Sequence, residues 1–87
     1  MSTGLAETEL RRLRWRARRG LLENDLILER FFRREGETLD RSDAVALGHL
    51  LELGDNELLD LLLERTEPEA PLNTDEMKAL LARLRAA

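Results

Sequence analysis

Leu22-Glu23-Asn24-Asp25-Leu26-Ile27-Leu28-Glu29-Arg30-Phe31-Phe32-Arg33-Arg34-Glu35 is the stretch on which the reading of the fold turns. Its apolar members, Leu22, Leu26, Ile27, Leu28, Phe31 and Phe32, recur at the three- and four-residue spacing of an α-helix. They cover a wide arc, so this helix is expected to pack on more than one side. Gly36 supplies its stop. On the N-terminal side, Gly20 stands where a left-handed residue ends the preceding helix, a conformation that costs glycine nothing. That first helix is expected from Thr8 to Arg18, with Leu10, Leu13 and Ala17 on one face.

On the C-terminal side, Asp40 as N-cap and Asp43 in an acidic first turn open a third helix running to Leu53. Gly54 closes it, and Asp55 caps a fourth from Asn56 to Arg65. Leu58, Leu59, Leu61, Leu62 and Leu63 cover most of that helix's circumference, which places it at the buried centre. Pro68 and Pro71 interrupt the chain. Asn73 with Glu76, or Thr74, then caps a fifth helix whose stripe is Met77, Leu80, Leu81 and Leu84. The expected fold is all-α: one compact, five-helix, antiparallel bundle-like domain over residues 1–87, with 1–5 and 86–87 frayed.

A chain of 87 residues has a thin core, burying only about 60–65% of the surface its unfolded form exposes. It contains no cysteine and one histidine, His49, so neither disulfides nor a histidine-rich metal site reinforces it. Helix packing must carry the stability. The lack of cysteine fits a reducing compartment. No apolar run approaches the roughly 20 residues of a membrane span, and Met1-Ser2-Thr3-Gly4 lacks the layout of a secretory signal. The expected location is the cytoplasm, or the mitochondrial matrix if a presequence has been removed.

Enzymatic chemistry finds little to work with. Nucleophilic catalysis wants Ser or Cys beside a base, yet one histidine must serve every scheme. His49 and Glu52 share a helix face, but a lone His-x-x-Glu is far more often a surface pair than a metal site. The five glycines are scattered singly, so no loop cradles a phosphate. The sequence therefore points to a protein that grips another protein, not to an enzyme.

Charge divides the chain. Residues 1–36 hold nine arginines against six acidic residues, while residues 37–87 hold five basic against twelve acidic. A basic head on an acidic body implies that the head meets something negative. Six arginines lie in the first helix and its turn: Arg11, Arg12, Arg14, Arg16, Arg18 and Arg19. At 100° per residue, Arg11, Arg12, Arg18 and Arg19 flank Trp15, opposite Leu10 and Leu13. Trp15 has two readings, as an exposed interface anchor or as a second packing contact covered by arginine stems.

The turn Arg19-Gly20-Leu21-Leu22-Glu23 has a structural reason to exist. Arg19 suits the negative end of one helix and Glu23 the positive end of the next, each worth about 0.3–1 kcal/mol. Its surroundings add a second reason. Residues 14–28, from Arg14-Trp15-Arg16-Ala17-Arg18-Arg19-Gly20 through Leu21-Leu22-Glu23-Asn24-Asp25-Leu26-Ile27-Leu28, resemble the signature of the succinate dehydrogenase assembly factor 2 family. Its bacterial members are the SdhE-type FAD assembly factors. Residues 50–62, Leu50-Leu51-Glu52-Leu53-Gly54-Asp55-Asn56-Glu57-Leu58-Leu59-Asp60-Leu61-Leu62, are similar to that family's second recurring pattern. Asn24, where the family often carries a bulky apolar residue, and Leu61, where it often carries Trp, depart from the pattern.

The resemblance implies a helical assembly factor, a chaperone that binds the flavoprotein subunit of succinate dehydrogenase or of fumarate reductase. It implies promotion of covalent FAD attachment to a histidine of that subunit, in a bond that forms autocatalytically. It implies no FAD held stably by the factor, no nucleic-acid partner, no membrane insertion and a monomer when free. Arg19, Gly20 and Glu23 match the family's interface motif, and Trp15, Arg16, Arg18 and Asp25 complete the candidate partner-binding set. Gly20 would let a partner's backbone approach the corner closely. Arg19 would fork onto a carboxylate or a phosphate oxygen of the partner's cofactor, and Arg16 and Arg18 would steer. The rival reading of the same arginines is a small nucleic-acid-binding domain, against which the acidic remainder argues. An amphipathic helix on anionic lipid ranks below it, since the first helix's apolar face is committed to the core.

Overall fold

Helices form where the apolar period demands them, and their ends are set by local hydrogen bonds. The computed structural model describes residues 5–18 and 20–86. Within it run α1 (Glu7–Arg16), α2 (Leu22–Glu35), α3 (Arg41–Leu50), α4 (Asp55–Leu62) and α5 (Asp75–Ala86), with a 3-10 turn at Gly36–Thr38. No strand occurs among the described residues, so the all-α expectation holds.

The caps explain several boundaries. Asp40 accepts from the Asp43 N–H at 2.8 Å while Asp43 accepts from the Asp40 N–H at 3.2 Å, a reciprocal capping box that starts α3. Thr74, not Asn73, caps α5: its hydroxyl accepts from the Met77 N–H at 3.1 Å. Two glycines behave differently from expectation. Gly36 keeps an ordinary φ of −54° and passes α2 directly into the 3-10 turn, its buried backbone lying near Leu10. Gly54 is the N-cap of α4 with φ −66°, so Asp55 is the first helical residue and not the cap. α3 has already ended at Leu50, three residues before the expected Leu53.

α4 ends at Leu62, not Arg65, through a left-handed residue that the sequence does not announce. Glu64 has φ 62°, and the N–H groups of Arg65 and Glu64 reach back to the carbonyls of Asp60 and Leu61. Those two bonds form a Schellman motif, whose left-handed position is usually glycine. The helix also buries only one face. Leu58, Leu61 and Leu62 are interior while Leu63 is exposed, because an eight-residue helix on a thin domain has one neighbour-facing side. The expected central position belongs instead to α5, which packs on α2, α3 and α4.

The α5 stripe is as the sequence predicts: Met77, Leu80, Leu81 and Leu84 are all buried. They meet Leu28, Phe31 and Phe32 of α2, Ala46, Leu47 and Leu50 of α3, and Leu58, Leu61 and Leu62 of α4 in one core. Polar bonds fix the same helix. Arg83 donates from Nε to Glu35 at 2.7 Å and from Nη1 reaches Asp43 at 2.9 Å, while its guanidinium lies 5.9 Å from the Phe31 ring centroid. The bond to Asp43, with Glu35 adding to it against the opposing effect of burial, raises the Arg83 pKa, so its charge is fixed. Arg85 donates twice to the Leu61 carbonyl, at 3.0 and 2.8 Å. α1 packs more sparsely than the other helices, through Leu13, Ala17 and half-buried Leu10. Residues 5 and 86, expected to fray, are tied: the Leu5 N–H donates to the Leu39 carbonyl at 3.1 Å, and Arg34 donates to the Ala86 carbonyl at 3.0 Å.

Among the described residues, one polar side chain lies in the interior. Asn24 is fully buried, its Nδ2 donating to the Asp55 carbonyl at 3.0 Å while Oδ1 finds no partner. It fastens the first turn of α2 to the first residue of α4. A lone buried acceptor of this kind costs about 1–3 kcal/mol, so the fastening is obtained at the expense of stability.

Removing the Arg83 grip should be costly. Arg83→Met keeps much of the apolar stem and takes the cation from two half-buried carboxylates, lowering the unfolding free energy by about 1–3 kcal/mol. Urea and thermal melts should show this as a loss of roughly 5–15 °C in Tm. Arg11→Ala, which removes only the exposed pair with Glu7, should change stability by less than about 0.5 kcal/mol.

Candidate protein-docking site

The corner between α1 and α2 carries the residues the sequence singled out. α1 stops at Arg16 rather than Arg18, its last turn closed by Ala17 N–H to Leu13 O at 3.0 Å and Arg18 N–H to Trp15 O at 3.2 Å. Gly20 follows with φ 84°, the left-handed geometry expected of it. A Cβ built on Gly20 would meet nothing within 4 Å. The glycine is therefore not required by crowding inside the chain; the backbone angle is what disfavours a side chain there. Space outside the corner is open to a visitor.

Trp15 resolves its two readings in favour of exposure, with 72% of its surface accessible. The Arg18 guanidinium lies 5.9 Å from its ring centroid, a cation–π contact that holds the indole without burying it. Leu22 and Leu26 are also exposed, at 66% and 52%. These two were expected in the core because α2's apolar arc is wide. The arc is wider than a domain this thin can cover, and its excess faces solvent. Exposed apolar surface next to guanidinium groups has the composition of an interface core: an aromatic and arginines, with little lysine.

Two open clefts meet at this corner. Arg11, Arg14, Trp15, Arg18 and Glu29 line one, and Arg14, Arg18, Asp25, Leu26 and Phe32 line the other. Arg14 stands between them, its Nη2 3.3 Å from Glu29 and its guanidinium 5.7 Å from the Phe32 ring centroid. Glu23 is exposed in the first turn of α2. Asp25 is half-buried, and its Oδ2 accepts the Gly20 N–H at 3.2 Å. Arg19 lies outside the described residues.

Arg16 does not join this group. With Arg12 it lines a separate cleft beside Glu9, Arg41 and Val45, and its Nη1 comes 3.6 Å from where a Cβ on Gly48 would stand. The structure thus brings Trp15, Arg18, Gly20, Glu23 and Asp25 to one corner and leaves Arg16 and Arg12 facing α3. Leu22, Leu26 and Arg14 belong to the corner although sequence reasoning did not place them there. The surplus width of the α2 arc was the available signal.

Among the described residues, no group of three His, Cys, Asp or Glu side chains converges. His49 is exposed beside Val45 and Met77, on a groove between α3 and the Pro71 loop. No helix is long and apolar enough to cross a membrane, among the described residues.

Comparison with known proteins gives the corner its context. The family described as "Flavinator of succinate dehydrogenase" matches residues 11–87. The FAD assembly factor SdhE of Ralstonia nicotianae is 57% identical over 75 residues, covering 86% of this chain and 79% of that one. The protein of the same name from Pseudomonas aeruginosa is 41% identical over 63 residues, covering 72% and 75% of the two chains. That from Coxiella burnetii is 37% identical over 60 residues, covering 69% and 73%. No solved structure matches. A match that begins within α1 and runs on through all the remaining helices leaves one reading: this chain belongs to the family of succinate dehydrogenase flavinators.

Proposed function

We propose that this protein is an FAD assembly factor that binds the flavoprotein subunit of succinate dehydrogenase and promotes covalent attachment of FAD to it. Family membership over residues 11–87 carries the reading, and the relatives' shared name supplies the process. The nucleic-acid alternative gains no support from these relatives. Fumarate reductase's flavoprotein subunit is a second client, the free factor is a monomer, and the bacterial sources of the relatives favour the cytoplasm.

The mode of action follows from the corner. The bond between flavin and protein forms on the partner, and this chain's residues act by holding that partner in one arrangement. Catalysis of this kind is positioning contributed from outside the reacting centre. Trp15, Leu22 and Leu26 present apolar surface that is freed from water on docking. Arg18, standing over the indole, adds charge at the rim, where it favours approach to an acidic surface. Gly20, with open space where a Cβ would lie, admits partner backbone close to the turn. On this reading the factor holds no FAD stably, since the flavin is attached to the partner.

Gly20 separates conformation from clearance. Asn tolerates the left-handed angle better than other side chains, so Gly20→Asn should cost less than about 1 kcal/mol of stability and Gly20→Arg about 1–2 kcal/mol. Both should abolish in-gel flavin fluorescence of a co-expressed succinate dehydrogenase flavoprotein subunit above the no-factor lane, with helical circular dichroism intact. Full flavinylation by Gly20→Asn would show that clearance at the turn is not needed. Trp15→Ala should weaken binding to the flavoprotein subunit by about 2 kcal/mol, roughly thirtyfold in Kd. Its thermal melt should move little, since the side chain is exposed.

A further inference from the structure

Asp25, expected among the partner-binding residues, is bonded within the corner itself. Its Oδ2 accepts the backbone N–H of Gly20 across a five-residue span, at 3.2 Å. That bond bridges the turn itself, from the first turn of α2 back to the left-handed residue. Gly20 needs such a hold. Glycine loses more conformational freedom on ordering than any other residue and enters many φ/ψ regions at similar cost. On the side where a Cβ would stand, nothing beyond its chain neighbours comes within 4 Å, so packing there does not hold its φ of 84°.

The acceptor is itself fixed. Asn24, one residue earlier, is fully buried and bonded through Nδ2 to the Asp55 carbonyl at 3.0 Å. The first turn of α2 is thereby pinned to the start of α4, and the Asp25 carboxylate is presented from a rigid base. A docking corner held in its bound geometry loses less entropy on association than one that must be ordered by the partner.

We propose that Asp25 is a positioning residue: it holds Gly20 in the left-handed conformation and so preorganises the docking corner, without itself contacting the partner. The inference rests on the flavoprotein-docking reading above. Three full-length proteins test it: wild type, Asp25→Asn, which keeps an acceptor oxygen, and Asp25→Ala, which does not. NMR relaxation of the free proteins reads the order of the Gly20 amide, and calorimetric titration with the flavoprotein subunit of succinate dehydrogenase reads affinity.

Wild type and Asp25→Asn should both show an order parameter near the rigid value of about 0.85, falling below about 0.6 in Asp25→Ala. Affinity should be retained by Asp25→Asn and fall about tenfold in Asp25→Ala, with helical circular dichroism equal in all three. Unchanged Gly20 order in Asp25→Ala would overturn the proposal. So would a loss of affinity in Asp25→Asn with Gly20 order retained, which would make the carboxylate a partner contact. Failure of the flavoprotein reading is distinguishable, because it appears as absent binding by the wild type while the order parameters still decide whether Asp25 holds the turn.

Discussion

The packing of α5 is the constraint on which the rest of the molecule depends. Met77, Leu80, Leu81 and Leu84 close a core to which α2, α3 and α4 each contribute one face. Arg83 then bonds to Glu35 at the end of α2 and Asp43 at the start of α3, and Arg85 bonds to the last turn of α4. A single C-terminal helix thus fastens three others through both apolar and charge-assisted contacts. In a domain this small such fastening is needed, because no disulfide is present and the core is thin. The same arrangement leaves α1 and the entry to α2 outside the heaviest packing. On the docking reading proposed above, stability and docking are carried by opposite ends of the chain.

That separation gives the charge asymmetry a physical meaning. Some of the N-terminal arginines are paired internally, Arg14 with Glu29 and Arg11 with Glu7, and these pairs are exposed enough to be exchanged for partner contacts at small cost. Arg18 is spent on Trp15, where it stabilises an exposed indole. The corner is therefore not simply a basic surface. It is an apolar patch of Trp15, Leu22 and Leu26 with cations placed around it, better suited to a protein surface than to a phosphate backbone.

Much of this was legible in the sequence where one physical rule acts alone. The bounds of α2, the α5 stripe, the Asp40 cap and the left-handed Gly20 all follow from period and local hydrogen bonding. Legibility failed where rules compete. Gly36 and Gly54 look like helix stops, yet both adopt ordinary backbone angles. The residue that does use the left-handed stop on α4 is Glu64, which carries no glycine signal. Leucine around α4 suggested a central helix, but the number of neighbours, not composition, decides how many faces are buried. At the candidate corner the left-handed Gly20 was identifiable and Trp15 was left with two readings, whereas the parting of Arg16 from Arg18 depends on side-chain direction relative to α3. The resemblance to succinate dehydrogenase assembly factors rested on residues 14–28 and 50–62, and the family match over residues 11–87 bears it out.

On the reading proposed above, the α1–α2 corner, and not another face, docks the flavoprotein subunit. Amide hydrogen exchange of this protein, alone and with excess succinate dehydrogenase flavoprotein subunit, tests that most directly. Slowed exchange concentrated in the segment from Trp15 to Leu26, with the His49 and Pro71 groove unchanged, is the expected result. Slowed exchange on the α3 and α5 face with the corner unaltered would contradict it.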